Sequence, residues 1–398
     1  MKTRRALSQV GGPTRTTGDA GAAALLADAM DRAAFEESDA LTHGFHPWPA
    51  RMHRAIAGVS IAHFSQPGDR VLDPFCGSGT VLLEAMLAGR RAAGVDLNPI
   101  VPRLVRAKCE PRSLEGRERF LGTAIAVCER SFERVQNRER AHAKLPPSML
   151  GLYGTHTLKE MAGLLEEIRA VEATEDREAL ELAFSSLVVK VSNKQAETSE
   201  AEMHKRIRKG LVTELFGRKC EELTSRWAEL EQAMPEGAVT PKVFLGDARE
   251  LPQLLGTASR ANLVLASPPY GGTYDYHAQH AMRLAWLGLD ARGLAKREVG
   301  SRRAARWEDE DEAQARWDDE VLAFLRAMRG VLAPEGLAVL LMGDGQFGTS
   351  RSPILEQLGE LAPRAGLRPV AAASQPRPAS GPGPMREEHL VLLAADGR

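Results

Sequence analysis

The ten residues Val71-Leu-Asp-Pro-Phe-Cys-Gly-Ser-Gly-Thr80 constrain the fold more than any other stretch. An apolar run, Arg70 to Leu72, ends in an acid, turns through Gly77 and Gly79, and enters a helical apolar pattern from Val81 to Leu87. Strand, glycine turn and helix in that order open a nucleotide-type βαβ unit. A second strand, Ala92 to Val95, ends in Asp96, twenty-three residues after Asp73, where such units hold a ribose hydroxyl. A third, Asn262 to Ala266, runs directly into Ser267-Pro-Pro-Tyr270.

Composition narrows the class without deciding the partner. The chain has 398 residues, 43% apolar and 26% charged, enough to bury a large core. Lys and Arg number 52 against 53 acids, a formal net charge of −1. A neutral total neither supports nor excludes nucleic acid, because clustering of basic residues on one face is what matters. Cys76, Cys109, Cys128 and Cys220 form no CxxC pair, which reads as a reducing compartment. No apolar run approaches the roughly 20 residues of a membrane span. The basic N-terminus lacks the apolar segment of a signal peptide, so a cytoplasmic location is expected. Four histidines, His43, His46, His53 and His63, have no thiol or carboxylate at ligand spacing, and no metal site is expected.

Residues 1 to about 20 are rich in Gly, Thr and Arg and read as flexible, followed by a short helix over Ala22 to Phe35. A proline-punctuated segment, Leu41 to Arg51, leads to a helix over His53 to Phe64. After Asp96-Leu-Asn-Pro99 the pattern turns helical, over Leu121 to Val135, Thr157 to Val171, Arg177 to Val191 and Leu211 to Met234. β/α alternation resumes with strands over 242–247 and 262–266, a helix over 320–332, a strand over 337–342, a helix over 352–365, and strands over 367–372 and 389–393. The short link Gln375 to Pro384 implies that the last strand is antiparallel to its neighbour. The expected division is a flexible N-terminus and short helix (1–40), a catalytic domain (41–103 and 236–398) and a helical insertion (104–235). The insertion is too long and too patterned for a loop, and is expected over the C-terminal edge of the sheet as the substrate-recognition element.

Asp73 with its glycine turn, Asp96 and Ser267-Pro-Pro-Tyr270, in that order, resemble the S-adenosylmethionine-dependent DNA amino-methyltransferases, which methylate N4 of cytosine or N6 of adenine. The segment Phe45-His-Pro-Trp-Pro-Ala-Arg51 is similar to the His-Pro-Tyr-Pro-Ala-Lys-like element upstream of the glycine turn in that family. The resemblance covers residues 42–100 and 240–395. It implies an α/β, Rossmann-like class I methyltransferase fold: a mostly parallel sheet with an antiparallel last strand, plus the helical insertion. Binding of NAD fits less well, because the turn is not G-x-G-x-x-G.

By this resemblance S-adenosylmethionine is the cofactor. Asp73 contacts the methionine ammonium, Asp96 the ribose hydroxyls and Asp247, in Gly-Asp-Ala-Arg, the adenine amine. Gly77 and Gly79 allow close approach beside Phe75, and the helix from Thr80 offers amides to the carboxylate. Phe45 or Trp48 faces the sulfonium.

The resemblance implies Ser267, Pro268, Pro269 and Tyr270 as the catalytic residues. An exocyclic amine is a poor nucleophile, and acceptors aimed at its N–H groups stabilise the charge that develops on it. By the resemblance, the Ser267 hydroxyl and Pro268 carbonyl would be those acceptors, the double proline would stiffen their placement, and Tyr270 would stack on the base. Serine in the first position is more often associated with N4 of cytosine, though adenine enzymes carry it too. In the glycine- and aromatic-rich stretch that follows, Asp275, Tyr276 and His280 are candidate pocket residues for an extruded base. Basic clusters at 204–209 and 296–306, including Arg302 and Arg303, are candidate phosphate contacts. The expected partner is DNA, with RNA or a small molecule as alternatives; the sequence does not determine an oligomeric state.

Overall fold

Ten strands are found among the described residues: β1 (Arg15–Gly18), β2 (Arg70–Asp73), β3 (Arg91–Asp96), β4 (Lys242–Leu245), β5 (Ala261–Ala266), β6 (Leu332–Gly343), β7 (Gly345–Phe347), β8 (Ser350–Ser352), β9 (Leu367–Arg377) and β10 (Arg386–Ala395). This is a computed structural model, and it describes residues 13–196, 201–256, 260–305, 307–377 and 386–396. Eight strands form one sheet in the order β1-β9-β10-β6-β5-β2-β3-β4, and β7 with β8 forms a separate antiparallel pair. From β4 to β6 every pairing is parallel. β10 is antiparallel to both β6 and β9.

This topology locates the working edge of the sheet. The chain moves outward from β2 through β3 to β4, then returns to the other side of β2 to lay down β5. A crevice therefore opens beyond the carboxyl ends of β2 and β5, where strand order reverses. Asp73 ends β2 and Ser267 immediately follows β5.

Period-2 burial puts apolar side chains on both faces. Along β5, Leu263 and Leu265 join one core with Leu82, Ile56 and Val339, while Val264 and Ala266 join another with Leu340, Phe324 and Val331. Such strands read as continuous apolar runs because helices cover both sides.

The N-terminus departs from expectation. Residues 15–18 are β1, paired antiparallel along the edge of β9, and Asp19 caps the helix Ala20–Arg32 by accepting from the Ala22 amide at 2.9 Å. Pairing covers what would otherwise be an open strand edge, a long-range gain that local composition does not reveal. Residues 1–12 lie outside the described residues, as do 378–385 in the link between β9 and β10.

Between β3 and β4 the helices Leu114–Gln136, Thr155–Arg169, Thr174–Leu187 and Leu211–Ala233 pack together. Phe120 and Trp227 meet edge to face at 5.0 Å, and the Trp227 indole donates to the Ala107 carbonyl at 2.7 Å. Buried Glu160 accepts the Gly210 and Thr213 amides at 2.9 and 3.0 Å. The insert is tied to the segment before β2 and to a helix after β5. His46 meets the Ser185 hydroxyl at 2.7 Å, and Phe184 and Tyr153 pack on Trp286 of the helix Tyr276–Leu287. No helix among the described residues is long and apolar enough to cross a membrane.

Candidate active site

The cleft beyond β2 and β5 is built from four strand-to-helix junctions. At the first, β2 ends in Asp73, whose carboxylate accepts the Phe75 amide at 3.0 Å. The chain then turns through Gly77 and Gly79, both at positive φ, into the helix Thr80–Leu87. A Cβ on Gly77 would stand 2.9 Å from the Trp48 indole nitrogen. Gly79 makes a different accommodation, because its missing Cβ makes room for Val105 of the helix Val101–Cys109. Gly79 therefore makes room for helix packing, and it is not among the residues that line the recess or the cleft.

At the second junction Asp96 ends β3 and ties the site together. One carboxylate oxygen accepts the Gly77 amide at 2.8 Å and the other the Asn98 amide at 2.8 Å. The acid after β3 thus holds the turn after β2. Burial raises the pKa of Asp73 to about 8, with Asp96 repulsion adding to it, and that of Asp96 to about 6 against its amide hydrogen bonds. Two buried acids on one cleft prefer to meet a cation.

Asp247 follows β4 and is fully buried, but its oxygens are engaged. Arg249 donates from its amide (2.8 Å), Nε (3.0 Å) and Nη2 (2.7 Å), and Arg297 Nε lies 3.0 Å away. Burial alone would raise the carboxyl's pKa, yet the Arg249 and Arg297 contacts hold it below the usual range. A carboxylate has about four lone-pair sites, and four donors already face this one. In this conformation Asp247 is a clamp for two arginines beside the cleft wall.

After β5, Ser267 is half-buried and Pro268 buried. An inner recess lined by Asp73, Gly77, Ser78 and Thr80, and an outer cleft lined by Asp96, Asn98, Asp247, Tyr276, His280 and Glu298, share Trp48, Ala50, Phe75, Gly77 and Ser267 as walls. Pro269 also lines the outer cleft.

Not every expected site residue faces the cleft. Phe45 is fully buried, with the Lys219 ammonium 5.1 Å from its ring centroid, and it is not on the cleft. Of the two, Trp48 is the one that faces the cleft. Tyr270 is buried with its hydroxyl donating to Glu388 at 2.7 Å, and its ring forms part of the core rather than the cleft wall. Asp275 caps the helix Tyr276–Leu287 through the Ala278 amide at 2.9 Å. Arg303 turns inward to His277 and the Ala295 carbonyl, and Arg302 is exposed; neither lines the cleft. Arg306 lies outside the described residues. In the other basic cluster, Lys205 donates to the carbonyls of Val189, Lys190 and Lys194. Nor does any described residue of 104–235 line the cleft.

Tyr276 and His280 do line it. His280 is buried, stacks on Trp48 and has no hydrogen-bond partner for either ring nitrogen among the described residues. Burial, with Arg283 nearby, lowers its pKa to about 3, so the ring is neutral. Glu298 was missed because it sits within the basic run Lys296-Arg-Glu-Val-Gly-Ser-Arg-Arg, which reads as a phosphate contact. The available signal was an acid beside an apolar residue interrupting that run. Among the described residues no group of three His, Cys, Asp or Glu is arranged to hold a metal.

The strand order with a reversed last strand, and acids at the ends of β2 and β3, define a Rossmann-like methyltransferase fold. Residues 31–104 match the family of N6- and N4-methylating DNA methylases. That match covers 74 of the 398 residues, the segment that holds β2, β3 and the glycine turn. It is 26% identical over 255 residues to the type II methyltransferase M.BsoBI of Geobacillus stearothermophilus, covering 57% of this chain and 48% of that one. It is 36% identical over 74 residues to the type II methyltransferase M.MvaI of Kocuria varians, covering 18% and 16%. The chain thus spans less than half the length of these relatives. Among solved structures, the rRNA methyltransferase aviRa of Streptomyces viridochromogenes covers 92% of this chain and 96% of its own, at 12% identity and a TM-score of 0.36.

Proposed function

We propose that the protein transfers a methyl group from S-adenosylmethionine to the exocyclic amine of a DNA base, N4 of cytosine in preference to N6 of adenine. The observation that carries this reading is the placement of Ser267, which forms a wall of both the Asp73 recess and the Asp96 cleft. A base amine held at the Ser267-Pro-Pro turn therefore meets whatever the acids hold.

The residues fit the cofactor. Its ammonium and sulfonium are cationic, and the cleft presents Asp73, Asp96 and the Trp48 ring. Asp73 would pair with the ammonium in the inner recess. Asp96 retains lone pairs beyond its two amide bonds for the ribose hydroxyls. S-adenosylmethionine supplies a methyl group activated by its positive sulfur. The protein's own contribution is to hold the amine in line with that methyl and accept from its N–H groups through the Ser267 hydroxyl and Pro268 carbonyl. The preference for cytosine rests on serine as the first residue of the tetrapeptide. Duplex DNA would have to present its base extruded, since Ser267 lies inside the cleft.

Tritium transfer from labelled cofactor into duplex DNA, tRNA and small-molecule extracts, followed by nucleoside chromatography, tests this. Label is expected in DNA as N4-methyldeoxycytidine. Label in N6-methyldeoxyadenosine would reverse the choice of base, and label only in tRNA or metabolites would overturn the DNA reading.

A further inference from the structure

Resting on that reading, we propose that Glu298 reads the target base: its protonated carboxyl donates from Oε2 to the ring nitrogen beside the exocyclic amine, N3 of cytosine or N1 of adenine.

The geometry isolates one oxygen for this task. Glu298 lines the outer cleft together with Ser267 and Tyr276 while its side chain is only 3% exposed. Its Oε1 accepts the Tyr276 amide at the start of the helix Tyr276–Leu287, which fixes the carboxyl group. Its Oε2 is buried without a hydrogen bond; the nearest cation, Arg303, stands 3.9 Å away and is engaged with His277 and the Ala295 carbonyl. A buried polar atom with no partner on a ligand cleft is a vacant recognition position.

Complementarity then selects the substrate edge. Cytosine and adenine each present an amine donor next to a ring-nitrogen acceptor, and Ser267 supplies the acceptor for the first. Guanine presents an N–H at the corresponding ring position and would require the ionised carboxylate. Capping the helix would need only Oε1, so the protonation state of Oε2 separates recognition from mere support. Burial, then repulsion from Asp275, raises the pKa of Glu298 to about 7 against the amides of Tyr276 and His277 and the charge of Arg303. The other charged or titratable groups on this cleft are His280, held neutral, Asp247, held ionised by Arg249 and Arg297, and Asp96. With the cofactor saturating, its ammonium keeps Asp73 ionised across the range, and the lower-lying Asp96 governs the acid side, so the alkaline limb belongs to Glu298.

The test uses the full chain, labelled cofactor at saturation and unmethylated genomic DNA, with kcat/KM for DNA measured from pH 6 to 9 and cofactor affinity followed by calorimetry. Wild type should lose activity above pH about 7. At pH 6.5, E298A should lose roughly 10–100-fold, the cost of an unpaired buried acceptor. E298Q, whose amide donates at every pH, should recover most of that loss and show no alkaline fall. The proposal is overturned if E298Q keeps the wild-type alkaline limb, if wild-type activity rises through pH 7, or if E298A matches wild type. If wild type binds the cofactor yet labels no DNA, the proposed function itself fails and this assignment falls with it.

Discussion

Trp48 and His280 stack with ring centroids 4.3 Å apart at 38°, although 232 positions separate them in the chain. The contact joins the segment before β2 to the helix after β5 across the mouth of the cleft, where the indole also covers Gly77. A cation beside this ring gains about 0.5–2 kcal/mol. Trp48→Ala should therefore weaken cofactor binding by about 2- to 30-fold in calorimetry, and Trp48→Phe should recover part of the loss. Unchanged affinity in Trp48→Ala would remove the indole from the cofactor site.

Gly77 is required for conformation and for space. Its φ is +43°, and an added Cβ would meet the Trp48 nitrogen at 2.9 Å. Gly77→Ala is expected to cost about 1–3 kcal/mol of stability and to reduce cofactor affinity by tenfold or more. Thermal denaturation and calorimetry on the same preparation check both.

Asp96→Ala removes an acceptor from two amides as well as a ribose partner. We expect loss of cofactor binding together with about 1–3 kcal/mol of stability from the orphaned amides. Asp96→Asn retains an acceptor for the Gly77 amide and should restore stability more than binding.

Asp73 makes both affinity and stability depend on pH. Its folded pKa is about 8, far above that of a free aspartate, so between about pH 4 and 8 the folded state holds a proton that the unfolded state has lost. Stability of the cofactor-free protein should then fall as pH rises through that window, and Asp73→Asn should flatten the trend. Cofactor affinity runs the opposite way, because the ammonium needs the ionised acid. Calorimetry should show it strengthening from pH 6 to about 8, with proton release.

Ser267→Ala and Tyr270→Phe should separate chemistry from support. The first is expected to lower kcat by about 10²-fold or more with cofactor affinity intact. The second removes a hydroxyl that donates to buried Glu388, and should cost about 1–3 kcal/mol in urea denaturation with little change in cofactor affinity. A large loss of rate in Tyr270→Phe without loss of stability would return Tyr270 to the chemistry.

The chain by itself determined the features set by short-range forces. Strand ends at Asp73 and Asp96, the turn through Gly77, and the Ser267-Pro-Pro junction follow from apolar periodicity, positive-φ tolerance and proline stiffness, each acting within a few residues. Tertiary structure decided which side chain meets which. It chose Trp48 over Phe45 for the cleft, because Phe45 is covered by Lys219 from the inserted helices. It drew the Tyr270 hydroxyl to Glu388, surrounded Asp247 with Arg249 and Arg297, ordered residues 15–18 along β9, and left one oxygen of Glu298 without a hydrogen bond on the cleft. Those outcomes depend on burial and hydrogen-bond partners supplied mostly by segments remote in the chain, and a partner tens or hundreds of positions away leaves no local pattern around the residue it will engage.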